Sequence, residues 1–261
     1  HTLFNTINTL ILVWFVRFIE RAVVRIIKTP KNQENDTFRL KYISAGPLAT
    51  PELATEQAFD EIIHFAQISR NGLGYTKQAL VESNADKFEE LRKKLVKYEE
   101  ISDKIEYEIA SFLNAVSASD ISEATSIKVK AMYKIIGELE SLGDSGEAIS
   151  RILTRRNKHA KTFSAENIRS IDALLDLVDK AYVIMIENLK SDSVGMLGLK
   201  KAVDCEIQIN ELRNLLREEE INNMEKDGTH YLSSVYYMDV ISEIERMGDF
   251  IINISQALEK K

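Results

Sequence analysis

Hydrophobic and polar positions divide this chain into three stretches. Leu3 to Val16 (LFNTINTLILVWFV) is its one long apolar run. Residues 29 to 51 (TPKNQENDTFRLKYISAGPLATP) are mostly polar and hold all three prolines, Pro30, Pro47 and Pro51. That stretch reads as a linker with one short extended segment, Phe38 to Ile43. The 210 residues from 52 to 261 contain no proline, and apolar residues there recur at helical spacing, as in the stripe Ile135, Leu139, Leu142 and Ile149. Thr50, Pro51 and Glu52 form a helix start, with a capping hydroxyl, proline in the first turn and an acid at the positive dipole end. Six helices are predicted, over 51–82, 85–117, 119–155, 164–190, 193–224 and 228–259. Breaks fall at Ser83-Asn84, Ser117 to Ser119, Arg155 to Lys161, Ser191-Asp192 and Lys226 to Thr229. At about 30 residues each they are roughly 45 Å long, so three side by side make an extended bundle. The fold class expected is all-α.

The six helices are two sets of three. Ile135 to Ile149 reads IIGELESLGDSGEAI, and 105 residues later Val240 to Ile254 reads VISEIERMGDFIINI. Six of the fifteen positions are identical: Ile136/Ile241, Glu138/Glu243, Glu140/Glu245, Gly143/Gly248, Asp144/Asp249 and Ile149/Ile254. About one match is expected by chance, so the chain carries an internal duplication. The second helices align more loosely, residues 97–109 on residues 203–215.

The apolar run is too short and too polar, with Asn5, Thr6, Asn8 and Thr9, to cross a membrane alone, which takes about 20 apolar residues. A signal peptide carries its charges before the apolar core, whereas here they follow it. The run reads as the last part of a membrane span, with Trp14, Phe15 and Phe18 at headgroup level and Arg17, Arg21, Arg25 and Lys28 on the cytoplasmic side. The other reading of residues 3–27 is an amphipathic helix packed on the bundle.

Charge sharpens the division. The average is −7, from 34 basic and 41 acidic residues. Residues 17–41 carry seven basic side chains (Arg17, Arg21, Arg25, Lys28, Lys31, Arg39, Lys41) against three acidic (Glu20, Glu34, Asp36), a local balance of +4 that leaves −11 for the remainder. Such an acidic body argues against nucleic-acid binding, which needs a basic footprint. The single cysteine, Cys205, precludes an intrachain disulfide and a cysteine zinc site, and fits a reducing compartment.

The repeated acids carry the candidate chemistry. Helix residues four apart share a face, so Glu140 with Asp144, and Glu245 with Asp249, each place two carboxylates about 5–6 Å apart at Cβ. They lie beside the apolar stripe and point to the surface. The second helix adds Glu99, Asp103 and Glu106 at spacings of four and three. Two such rows can hold a divalent or trivalent cation, or a small cluster, through oxygen ligands. The competing reading is a solvated acidic face that binds nothing. A mid-helix glycine costs about 1 kcal/mol relative to Ala, so Gly143 and Gly248 predict close approach, of a neighbouring helix more often than of a ligand.

The twin Glu-Leu-Glu-x-x-Gly-Asp and Glu-Ile-Glu-x-x-Gly-Asp segments, each on the third helix of a three-helix set, resemble the PhoU family of bacterial phosphate-uptake regulators. HTLFNTINT (1–9) is similar to the closing membrane segment of bacterial type II sodium-dependent phosphate cotransporters. KYISAGPLATPELATEQA (41–58) is similar to the junction those transporters place before a C-terminal PhoU-like domain. The resemblance implies two PhoU-like three-helix bundles in tandem, at 51–160 and 161–261, preceded by the end of a transmembrane segment with a juxtamembrane helix (1–28) and a linker (29–50). It implies metal ligands at Glu99, Asp103, Glu106, Glu140 and Asp144, with iron, zinc, magnesium or similar ions. In the second half the matching positions are Glu206, Asn210, Arg213, Glu245 and Asp249. There an amide replaces one acid and Arg213 another, and Arg213 can pair with Glu245 or Asp249 in the place of a metal. Glu245 and Asp249 stay metal candidates, and Glu206 and Asn210 are weaker ones.

The function so implied is regulatory, not enzymatic: the cytoplasmic domain of a sodium:phosphate symporter in the cell inner membrane. Its partners would be the membrane-embedded part of the same protein and the lipid bilayer, with a homodimer open as an assembly. The transport sites for phosphate and sodium would lie upstream. A second reading is a soluble PhoU-like adaptor acting on a separate transporter or kinase. A third is a di-iron oxidase, from the Glu-x-x-His at Glu61 and His64; such a site needs two, and the chain has one, which favours a satisfied surface histidine. Gly72-Leu73-Gly74 lacks the lysine and preceding strand of a phosphate loop. Arg151, Arg155, Arg156, Lys158, His159 and Lys161 read as a solvated connector complementing a helix C-terminus, with docking on anionic lipid as the other reading.

Overall fold

The computed structural model describes residues 40–43, 50–191, 195–226 and 231–259. The apolar run, the basic collar up to Arg39 and most of the linker lie outside the described residues. Contacts divide the chain into His1–Arg39 and Leu40–Lys261, and every described residue belongs to the second unit. No described helix is long and apolar enough to cross a membrane.

The unit is all-α, with six helices: α1 Pro51–Val81, α2 Ala85–Ser117, α3 Glu123–Lys158, α4 Ala165–Lys190, α5 Met196–Lys226 and α6 Tyr231–Glu259. Local chemistry sets their starts. Thr50, Asn84, Ser122 and Ser164 each accept a backbone N–H three residues on, and Ser164 with Asn167 completes a capping box. Two expected boundaries move for this reason. α3 begins at Glu123 rather than 119, because Ser122 is its cap while Ala118 still bonds back to Asn114 of α2. It continues to Lys158 rather than 155. Ala160, at φ 51°, turns the chain out of the helix, and the Lys161 N–H reaches the Arg156 carbonyl at 3.1 Å, a left-handed cap.

Helices α1–α3 pack together, as do α4–α6, and the two sets join along α3 on α6 and α1 on α4. Ile62, Phe65, Ile105, Ile109, Ile135, Leu139 and Ile149 fill the first core; Leu174, Val178, Met185, Ile209, Val240 and Ile244 fill the second. Duplicated glutamates cross the seam. Glu138 accepts from Asn253 at 3.1 Å, and its counterpart Glu243 accepts from Ser145 at 2.8 Å. Across α1 and α4, Arg70 grips Asp179 with two bonds of 2.8 and 2.9 Å, and the buried Ser69 and Tyr182 hydroxyls bond at 2.9 Å. Burial holds the Tyr182 phenol above its ordinary pKa.

Two local expectations are corrected. The described end of the segment read as extended, Leu40 to Ile43, is bent rather than extended. The buried Glu61 carboxylate explains the bend, since Oε2 accepts both the Lys41 and Tyr42 N–H groups, at 2.7 and 2.6 Å, and two successive donors reach one oxygen only from a curled backbone. Arg156 is not solvated. It is buried, lies over the Phe163 ring at 4.5 Å and donates to Asn157, and burial pushes its pKa down. Arg155, Lys158 and His159 are exposed as expected.

Candidate metal centre on an acidic helix face

The geometry of the site starts at a glycine. A Cβ built on Gly143 of α3 would lie 2.6 Å from Ser102 Oγ and 2.8 Å from Ser102 Cβ, so only glycine allows α2 and α3 to come this close. Ser102 precedes Asp103 and Gly143 precedes Asp144, so the same approach carries those two carboxylates together. Glu99, one turn before Asp103, joins them. One ligand oxygen from each of Glu99, Asp103 and Asp144 lies within 4.8 Å of the others. Among the described residues this is the one group of three or more His, Cys, Asp or Glu side chains so placed.

Burial pushes the Glu99 carboxyl above its ordinary pKa, and the charges of Asp103 and Asp144 add to the shift. Asp144 is raised by burial and then by Asp103, with Arg151 pulling the other way. Arg151 is itself engaged by Glu147 at 2.8 Å. Glu140, half-buried, is raised first by burial and then by Asp144, and eased by a bond from Ser141. Three carboxylate oxygens gathered this closely, two of them on the exposed side chains of Asp103 and Asp144, are an arrangement that a hard cation relieves. The donor set therefore fits an oxygen-ligated metal. Glu140 and Glu106 are not in the trio; Glu140 sits a turn before Asp144 on α3 and Glu106 about a turn after Asp103 on α2.

The second half keeps the framework and changes the chemistry. A Cβ on Gly248 of α6 would meet Ile209 of α5 at 3.1 and 3.2 Å, again a close helix approach. Arg213 donates to Glu245, and its other terminal nitrogen to Asn214 at 2.9 Å. Asn210 donates to Glu206 at 2.5 Å. Asn210 Oδ1 and Arg213 Nε are buried and have no partner. Burial, Glu245 and Glu206 raise Asp249, while Arg213 and Arg246 lower it. A guanidinium thus lies against the carboxylate that corresponds to Glu140, and Glu206, Asn210, Glu245 and Asp249 form no trio of the first kind.

Other candidates are accounted for. His64 Nδ1 lies 2.7 Å from Glu61 Oε1, so with both Lys41 and Tyr42 on Oε2 each Glu61 oxygen is engaged in holding the chain. Cys205 is buried, and burial raises its thiol pKa. Sequence reasoning missed the part played by Ser102. The available signal was a small residue at the point where a glycine from the next helix must touch.

The fold is similar to that of PhoU from Pseudomonas aeruginosa, with a TM-score of 0.71 and 12% identity over 79% of this chain and 96% of that one. It is likewise similar to the phosphate transport system regulatory protein PhoU from Streptococcus pneumoniae, with a TM-score of 0.66 and 17% identity over 80% and 95% of the two chains. No protein-family model matches the chain, and no curated protein matches it by sequence. The fold is PhoU-like, an all-α pair of three-helix bundles in tandem.

Proposed function

We propose that this chain regulates phosphate transport, and that the acidic face of α2 and α3 binds the metal ion through which it does so. The observation that carries the reading is the PhoU-like fold over about four fifths of the chain, since one of those neighbours is named a phosphate transport regulator. Glu99, Asp103 and Asp144 would hold the ion, whether iron, zinc, magnesium or a similar metal, with Glu140 and Glu106 adding negative charge near it. A bound cation supplies the positive charge that offsets repulsion among these carboxylates. The chain's own contribution is to fix α2 against α3 through Ser102 and Gly143.

The finer reading is a domain of a sodium:phosphate symporter, on the cytoplasmic side of the inner membrane, reached from the end of a membrane span and a juxtamembrane helix within residues 1–28, then through the linker 29–50. The apolar run, the basic collar after it and the KYISAGPLATPELATEQA junction support it. Regulation then requires that the domain bind two conformations of the transporter unequally. The test is phosphate uptake at several internal phosphate levels, in cells carrying the intact gene, a version ending at Thr29, or Asp103→Asn/Asp144→Asn at equal protein level. Loss of the response to internal phosphate in both variants is expected. Uptake identical to the unaltered gene in both would overturn the reading.

A further inference from the structure

A groove of about 580 Å³ runs along the outside of α1 between α2 and α4, and shares no residue with the acidic trio. Its volume falls within the range of small-molecule sites. Asn71, Gly74 and Gln78 of α1 line it, with Tyr75 of α1 and Tyr98 of α2 close by, their rings 5.4 Å apart and tilted 58°. Arg70, Lys77 and Asp179 complete the polar lining, and Lys94 lies over the Tyr75 ring at 5.0 Å.

Gly74 draws attention to this groove. Gly72, Gly143, Gly146 and Gly248 each have a neighbour within 4 Å of where a Cβ would sit; Gly74, in mid-helix, has none. It thus bears the helix penalty of glycine with no packing partner in the chain, and it leaves the groove floor bare. Gly137 shares that lack but does not line the groove. The walls then state a ligand chemistry. Exposed amides at Asn71 and Gln78 offer the paired donor and acceptor that read a purine edge, and tyrosine rings suit a planar base. Cations outnumber acids in the lining, although residues outside 17–41 average strongly acidic. Arg70 is committed to Asp179 by its bidentate bond, but the Lys77 partner Asp176 is 68% exposed, and so open a pair yields readily to a phosphate.

We propose that this groove binds a purine nucleotide, with the base against Asn71, Gln78 and the two tyrosines over Gly74, and the phosphates toward Lys77 and Lys94. The site is separate from the acidic face and does not depend on the regulatory reading. Its test is titration calorimetry of the full chain with ATP, adenosine and tripolyphosphate in EDTA, which removes metal from the acidic face. ATP is expected to bind once per chain, more tightly than either fragment. Gly74→Leu fills the floor without meeting a neighbour and replaces glycine within a helix, so the protein should melt no lower while ATP binding weakens at least tenfold. Asn71→Ala/Gln78→Ala should weaken ATP tenfold and leave tripolyphosphate unchanged. No ATP binding, equal binding by Gly74→Leu, or tripolyphosphate binding as tightly as ATP would each overturn the proposal.

Discussion

The two halves of this protein share a helix-crossing framework and differ in what they place on it. In each, a glycine before an aspartate lets the third helix approach the second. In the first half that glycine presses on Ser102 and brings together the oxygens of Glu99, Asp103 and Asp144. In the second it meets the side chain of Ile209, and the place of the acid Glu106 is taken by Arg213, which reaches Glu245. Duplication therefore preserved the crossing and changed the charge. One half concentrates negative charge that a cation can satisfy, whereas the other supplies its own cation. The shared Gly-Asp is thus a packing signature first, and a ligand signature only where the neighbouring helix contributes acids.

The difference can be broken most forcefully at the glycines. Gly143→Ala should destabilise by about 1–3 kcal/mol, because its Cβ would overlap Ser102 and force α2 and α3 apart. Gly248→Ala should cost less, about 1 kcal/mol, since its Cβ would meet the Ile209 methyl groups at 3.1 and 3.2 Å, a tight contact rather than an overlap, and the helix gains the alanine preference. Urea unfolding midpoints of the two variants compare the halves directly. Equal losses would show that the crossings are equivalent.

Next in size is the salt bridge. Arg213→Met leaves Glu245 and Asp249 facing each other without their guanidinium. Arg213 and Glu245 are 23% and 14% exposed, between surface and buried, so a loss of about 1–2 kcal/mol is expected. The same change at the matching first-half position, Glu106→Met, removes one charge from a repulsive field and should stabilise the metal-free protein slightly. Thermal unfolding in EDTA checks both signs.

The smallest effect is the pH dependence. Burial and mutual repulsion hold Glu99, Glu140 and Asp144 above the usual carboxylate pKa in the folded state, so the folded protein binds their protons more readily than the unfolded chain. Their ionisation therefore destabilises the metal-free fold at neutral pH, and the loss is relieved as pH falls through the raised values. Asp179, held low by Arg70, acts in the opposite sense and loses its contribution as pH falls. Asp144→Asn isolates the first group. It should raise the melting temperature at pH 7 in EDTA, and the gain should vanish once pH drops below about 3.9, the unperturbed aspartate value. A gain independent of pH would mean that charge is not its cause.

Much of this was legible in the chain because it is local. Thr50, Asn84 and Ser164 announce helix starts by side chains that reach only three residues, and the repeat is visible because its core spacing had to survive. That Arg213 pairs with one of the third-helix acids was legible from the repeat alignment, and the partner it takes is Glu245. What was hidden depends on long-range register. That Glu61 curls Lys41 and Tyr42 onto itself follows from backbone donors 19 and 20 residues away, which carry no side-chain signature. The matched Glu138 and Glu243 are explained only by the antiparallel seam that sets each against the other half. Glu140 stays outside the trio because the Ser102–Gly143 contact fixes the register of α2 on α3, and that register selects Asp144.

The most direct test of the comparison is metal content per chain after dialysis against limiting iron, zinc or magnesium, followed by exhaustive washing. It should be measured on the wild type, on Asp103→Asn/Asp144→Asn, and on Glu206→Gln/Asp249→Asn. The account predicts bound metal in the wild type, its loss in the first variant, and its retention in the second. Metal kept by the first variant, or lost from the second alone, would contradict it.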